Sequence, residues 1–259
     1  MRSDTDKIKS TKKIDTAENR PLISIITVVY NGNNTIEQTI QSVINQPYKK
    51  KEYIIIDGGS TDGTVDIIRK YESYLSYWIS EPDNGIYEAM NKGISHAKGE
   101  LIGIINADDW YEEKIFDSIA EQYIKTGSDH VIYGLLRIFQ DDKFYSMVGN
   151  SIRILHEDTI MHPTCFIPLK FYNTFGAYNS SYKYSADYDL ILRYVNNEVK
   201  FSFIEKPIAN FRRGGISSLP DAEREKYKVR VRHHLISKSE YALRIILIQL
   251  GVLVKKFSR

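Results

Sequence analysis

Hydrophobic and polar positions follow two alternating regimes along the first hundred or so residues. LISIITVVY (22–30) is continuously apolar and β-branched, the pattern of a strand covered on both faces in a parallel sheet. NNTIEQTIQSVINQ (33–46) then spaces Ile36, Ile40, Val43 and Ile44 as one face of a helix. EYIIIDGGSTDGTVDIIRKY repeats the unit, with a strand ending at Asp57, a glycine-rich loop, and a helix whose face carries Val65, Ile68 and Tyr71. A turn at EPDNG (81–85) leads into IYEAMNKGISHAKG, and LIGIIN (101–106) makes a third strand. Three such units in succession predict an α/β fold with a doubly wound, mainly parallel sheet.

Ligands of such sheets bind outside the carboxyl ends of the strands. The residues there are Tyr30 and Asn31, then Asp57, then the adjacent acids Asp108 and Asp109 in INADDW. Converging carboxylates repel one another unless a cation or a hydrogen-bonding ligand sits among them. One reading of ADDW is an aspartate N-cap for a helix over 111–125. Capping needs one aspartate, and a hard divalent cation shared with substrate phosphates gives the second a task. DGGSTDGT lacks the spacing of a dinucleotide fingerprint and the Gly-Lys-Ser/Thr of a phosphate-cradling loop, so it reads as a tight turn with Asp62 or Thr64 capping the next helix.

Composition narrows the class. A chain of 259 residues, 42% hydrophobic, is long enough for one catalytic domain with an appendage. Its single cysteine, Cys165, allows no internal disulfide, and the polar opening residues, expected to be disordered over 1–20, contain no apolar leader, which points to the cytoplasm. The net charge of +2 conceals an asymmetry: residues 221–259 hold ten basic and four acidic side chains, so the body is mildly acidic. That balance argues against a nucleic-acid partner and for a tail that meets an anionic surface.

SIITVVYN, IIIDGGSTDGT, EPDNGIYEAMNKGI and INADDW, in this order and spacing, resemble the nucleotide-sugar-binding half of family 2 glycosyltransferases of the GT-A fold, in the style of bacterial enzymes that assemble O-antigen, colanic acid and capsule. The resemblance covers roughly 21–218. It implies a Rossmann-like donor half (21–110), an acceptor half (111–220), inverting transfer from a nucleotide sugar, UDP-linked by expectation, and a Mn2+ or Mg2+ cofactor. By the same resemblance Val28, Tyr30 and Asn31 border the base, and Asp57 hydrogen-bonds the uracil or its ribose. Asp83 and Asn91 join the donor site, Asp108 faces the ribose or metal, and Asp109 coordinates the ion that bridges the diphosphate. Where many members carry an arginine, this chain has Met90, which leaves Asn91 or Lys92 for that contact.

KYSADYDLILRY (183–194) resembles the family's acceptor element, and Asp187 takes the position of the base, although the usual preceding glutamate is Ala186. Asp189 and Arg193 read equally as an i,i+4 pair on a helix surface. MHPTCFIP (161–168) makes His162 a candidate acceptor or diphosphate contact. NFRRGGISS (210–218) resembles the loop that closes over the diphosphate, with Gly214 and Gly215 allowing motion and Arg212 or Arg213 meeting phosphate. No histidine occurs there to complete the metal site.

The apolar run 245–254 is too short to span a bilayer, and basic residues flank it. With a glycan or polyprenyl-diphosphate-linked acceptor, the 221–259 tail is expected to lie at the inner face of the plasma membrane, and a helix docked on the body is the alternative. A homo-oligomer is left open. The rival classes are a nucleotidyltransferase, which shares the sheet and acids but carries a basic glycine-rich loop after the first strand, and a non-catalytic binding module, which has no use for Asp187.

Overall fold

The structure is a computed structural model that describes residues 19–155, 158–214 and 220–257, with side chains described through residue 249. The N-terminal segment expected to be disordered lies outside the described residues up to residue 18, as do 215–218 of the expected diphosphate loop.

Four parallel strands form the first half of the sheet: β1 (Ile23–Val29), β2 (Lys51–Asp57), β3 (Tyr77–Ser80) and β4 (Leu101–Asn106), in the order β3-β2-β1-β4. Alternate side chains enter opposite faces, as the pleat requires. Ile26, Ile54, Ile56, Ile102 and Ile104 pack on one side, while Ile23, Ile25, Ile55, Leu101 and Ile105 pack on the other. Burial on both faces explains the near-continuous apolar runs.

The helices that cover these faces come from the predicted amphipathic segments. α1 (Ile36–Ile44) and α2 (Thr64–Lys70) lie on one side, where Ile36, Ile40, Val43 and Ile68 are buried. α3 (Ile86–His96) covers the opposite face with Tyr87, Ala89, Met90 and Ile94. β3 is an addition to the expected elements, a four-residue edge strand that is only partly buried.

The sheet continues from β4 into a mixed half. After β5 (Trp110–Tyr111) come α4 (Ile115–Thr126), β6 (His130–Gln140), β7 (Lys143–Val148), β8 (Phe166–Pro168), α5 (Leu169–Phe175), α6 (Ala186–Asn196) and β9 (Lys200–Arg212). The order runs β4-β8-β6-β9-β5, with β6 and β9 parallel and β8, β5 and β7 antiparallel to their neighbours. Residues 210–212, expected in a mobile loop, are the last of β9, where Asn210 pairs with Trp110.

The tail consists of two helices. α7 (Pro220–Arg232) is docked on the body, with Ala222 and Val229 buried and Val229 in the same core as α3 and α6. α8 (Lys238–Phe257) packs against α7, and the Arg244 guanidinium lies 5.8 Å from the Tyr227 ring centre. For α7 the docked alternative therefore holds. No helix among the described residues is long and apolar enough to cross a membrane.

Candidate active site

The four parallel strands deliver their carboxyl ends to one edge, where strand register sets Val29 beside Asp57, Asp57 beside Ser80, and Val28 beside Asn106. Asp57 is wholly buried and accepts four hydrogen bonds: from the N–H of Gly59 (3.1 Å) and Ser60 (2.9 Å), and from the hydroxyls of Ser60 (2.5 Å) and Ser80 (2.6 Å). It thereby shapes the glycine-rich loop. Asn31, at φ +52°, accepts from the Thr61 N–H at 3.0 Å and donates its own N–H to the Ser60 hydroxyl at 2.7 Å. Asp83 closes the same corner. It accepts from the Gly85 N–H at 2.8 Å, and a Cβ on Gly58 would sit 2.8 Å from its Oδ2, so a larger residue there would displace the carboxylate. Tyr30 is 68% exposed at this edge, whereas the Val28 side chain is in the core.

The acid pair occupies the tight turn between β4 and β5. The Asp109 N–H donates to the Asn106 carbonyl at 3.1 Å, and the buried Thr39 hydroxyl of α1 lies 2.9 and 2.6 Å from the carbonyls of Ala107 and Asp109. Neither aspartate caps a helix. α4 begins at Ile115, its N-cap position is Lys114 in the left-handed region, and no side chain caps it, so the capping reading is corrected.

The carboxylates are in electrostatic conflict. Burial, then the Asp108 charge, holds the wholly buried Asp109 well above the usual carboxylate range, against the opposing N–H and charge of Arg212. Burial also raises Asp108. Asp109 Oδ1 accepts the Arg212 N–H at 3.1 Å, but Oδ2 has no partner among the described residues. An orphaned buried carboxylate oxygen beside a second acid fits a divalent cation, whose charge reverses the repulsion and whose hard character matches oxygen donors. Among the described residues no group of three His, Cys, Asp or Glu side chains gathers to hold a metal. The two acids would leave the remaining positions to phosphate and water, a common arrangement for Mg2+.

The arginines part company. Arg212 donates to the Asp108 carbonyl at 2.7 Å and to Gln38, and it stacks 4.7 Å from the Trp110 ring centre. Arg213 is exposed and lies against the β6–β7 hairpin, over Tyr145.

A second cluster forms at the start of α6. Asp187 accepts a hydrogen bond from the Tyr87 hydroxyl at 3.0 Å. His162 Nε2 lies 2.6 Å from the Tyr178 hydroxyl, and burial pushes this imidazole down while the Asp187 charge opposes. Asn91, expected on the donor, spends both ends of its amide on the main chain of Tyr178, at 2.8 and 2.9 Å. Lys92 pairs with Glu81 at 2.6 Å, and Met90 is buried in the core. The family's arginine position is thus filled by a packing residue here. Ala186 is likewise fully buried, which leaves a glutamate no solvent-facing place.

Sequence reasoning missed two residues here. Tyr87 lies in IYEAMNKG and was given no role of its own. Glu225 of α7 accepts the N–H groups of Lys183 (2.9 Å), Tyr184 (2.5 Å) and Ser185 (2.8 Å), which cap the approach to α6 from about 40 residues away in the chain. Asp189, by contrast, forms no plain surface pair. It is buried, bonded to Arg193 at 3.0 Å and to His233 of the α7 end at 2.9 Å.

Residues 24–187 match the family model Glycosyl transferase family 2. An uncharacterized glycosyltransferase of Mycobacterium tuberculosis is 30% identical over 181 residues, covering 67% of this chain and 68% of its own length. A PGL/p-HBAD biosynthesis glycosyltransferase of Mycobacterium bovis is 26% identical over 204 residues, covering 76% and 80%. Among solved structures, S. aureus TarS 1-349 in complex with UDP-GlcNAc superposes with a TM-score of 0.66 at 19% identity, over 88% of this chain and 71% of that one. Mannosyltransferase PcManGT from Pyrobaculum calidifontis, in complex with GDP-Man and Mn2+, gives 0.61 at 18% identity, over 83% and 63%. Against the nucleotidyltransferase and binding-module alternatives, the chain belongs to glycosyltransferase family 2 and is a glycosyltransferase of the GT-A fold.

Proposed function

We propose that this glycosyltransferase moves a sugar, with inversion, from a UDP-linked donor to a glycan or polyprenyl-diphosphate-linked acceptor in bacterial surface polysaccharide assembly. The observation that carries the reading is the acid pair, with one buried carboxylate oxygen left without a partner among the described residues at the edge where parallel strands bind ligands. A structural relative bound to UDP-GlcNAc supports a uridine diphosphate donor, and a relative named for PGL/p-HBAD biosynthesis supports a biosynthetic role.

Asp57, Asp83, Tyr30 and Asn31 shape the corner that receives the nucleoside. Asp108 and Asp109 would hold Mn2+ or Mg2+. When bound, that ion supplies Lewis-acid neutralisation of the charge on the leaving nucleoside diphosphate. Asp187 takes the proton of the acceptor hydroxyl as its oxygen attacks the anomeric carbon from the face opposite the diphosphate. The bond from that carbon to the diphosphate oxygen breaks, and the configuration inverts. His162 lies on the acceptor side, and Arg212 stands at the acid pair.

Exposed Leu243, Ile246 and Leu247 on α8, beside Arg244, support contact with the inner face of the membrane. Co-sedimentation with anionic vesicles that weakens as salt rises is the expected signature, and its absence in full-length protein contradicts that part. The donor reading is tested by incubating the protein with UDP-glucose, UDP-galactose and UDP-GlcNAc in Mn2+ and following UDP release. Slow hydrolysis of at least one, abolished by EDTA, is expected; failure to bind or hydrolyse any UDP-sugar overturns a UDP donor.

A further inference from the structure

The segment IYEAMNKG, matched by resemblance to the donor side, is turned in this structure toward the acceptor base. We infer that Tyr87 is a positioning residue for Asp187: its hydroxyl fixes carboxylate Oδ1, leaving Oδ2 to take the acceptor's proton. The inference rests on the reading of Asp187 as the base.

The geometry starts from a helix problem. The first N–H groups of any helix lack intrahelical partners, and Ser185, the N-cap residue of α6, makes no side-chain cap. Glu225 accepts the N–H groups of 183, 184 and 185. The backbone N–H groups of Ala186 and Asp187 act only as a weak pull on the Tyr87 phenol, against its burial. A phenol has one hydrogen to donate, and Tyr87 donates it to Asp187 Oδ1 at 3.0 Å, at the first turn of α6. Burial and the neighbouring Asp187 charge hold this phenol well above its ordinary range, so it keeps the hydrogen that it donates. Asp187 Oδ2 forms no hydrogen bond with the described residues.

Tyr87 itself is held firmly. It is 7% exposed, and its ring stacks on that of Tyr178 at 5.5 Å with 26° between planes. The main chain of Tyr178 is clamped by both ends of the Asn91 amide, one helical turn along α3 from Tyr87. α3 therefore carries two adjacent anchors, one for the base and one for the segment that packs on it. A carboxylate with one oxygen fixed presents the other in a defined direction, and misplacement by about 1 Å can cost roughly a hundredfold in rate.

Tyr87→Phe removes only the hydroxyl and keeps the stacked ring. With the UDP-sugar hydrolysed fastest in Mn2+ as probe, we expect kcat to fall about 10- to 100-fold, with KM for the donor and calorimetric UDP affinity unchanged. In an Asp187→Asn background the same change should have no further effect on the residual rate, because the group it positions is gone. Wild-type kcat in Tyr87→Phe, or an equal loss in both backgrounds, overturns the inference. Undiminished hydrolysis by Asp187→Asn alone would instead refute the assignment of the base, so the two failures are told apart.

Discussion

Asp109 and Asp189 are both wholly buried, and each has an arginine beside it, yet the molecule treats them in opposite ways. Asp189, at the seam of α6 and α7, has both oxygens engaged. Burial pushes its carboxyl up, but the His233 hydrogen bond and the charges of Arg193, His233 and Arg232 outweigh that and hold it below the ordinary range. Asp109, at the mouth of β4, has one oxygen unpaired and a second acid next to it, and its carboxyl sits well above that range. A buried charge that folding satisfies is architecture. One that folding leaves unsatisfied at a ligand-binding edge is a candidate to meet a ligand, a distinction that burial alone does not draw.

The largest expected effect breaks the structural member. Asp189→Ala leaves Arg193 and His233 facing an empty buried position, and removing one partner of a buried pair typically costs about 3–5 kcal/mol. Urea unfolding should show a loss of that order, whereas Asp109→Ala should cost little or stabilise, since it removes a conflicted charge. The pH dependence sharpens the contrast. With a lowered native pKa, Asp189 contributes stability that is present above the ordinary aspartate range and lost as pH falls through the native value. With a raised native pKa, ionised Asp109 imposes a penalty that grows as pH climbs from the ordinary range and is complete above its native value. Unfolding curves of wild type, Asp189→Asn and Asp109→Asn over about pH 3 to 8 should therefore give stability differences of opposite slope.

A smaller effect is expected at the base site. Asp57→Ala should weaken UDP binding by ~1.5–3 kcal/mol, the range for hydrogen bonds to a charged group, because the loop formed by Gly59 and Ser60 loses its anchor. Unchanged affinity by calorimetry would place the base elsewhere. Smaller again, Glu225→Ala should cost ~1–2 kcal/mol, as for loss of a helix cap, and lower hydrolysis without altering UDP affinity. A deletion from 221 would carry the same defect, so it reports on α7 docking as well as on any membrane role.

What was legible in the chain follows the same division. The strands β1, β2 and β4 could be read because burial on both faces demands unbroken β-branched runs, and the acids at their ends could be placed because parallel strands end on one edge. β3 escaped because YWIS is short and half-buried, and β9 because its outer half mixes Lys, Glu and Pro with register shifts that erase any period of two. The start of α4 moved because β5 intervenes and Lys114 supplies a left-handed turn. Asn91 carries a donor-site signature in sequence but spends its amide on a main chain 87 residues away. The phenol of Tyr87 was similarly opaque, since a tyrosine on an amphipathic face signals core and its polar tip finds Asp187 only in the folded chain.

In the proposed mechanism Asp109 and Asp187 do opposed jobs, one serving the leaving diphosphate and the other the attacking hydroxyl. Calorimetric titration of UDP, with and without Mn2+, into Asp109→Ala and Asp187→Asn separates the two roles. Asp109→Ala should lose the Mn2+-dependent part of UDP binding, while Asp187→Asn should bind UDP like wild type and turn over the donor only at a residual rate. Equal loss of binding in the two variants, or Mn2+-dependent binding that survives Asp109→Ala, would contradict that mechanism.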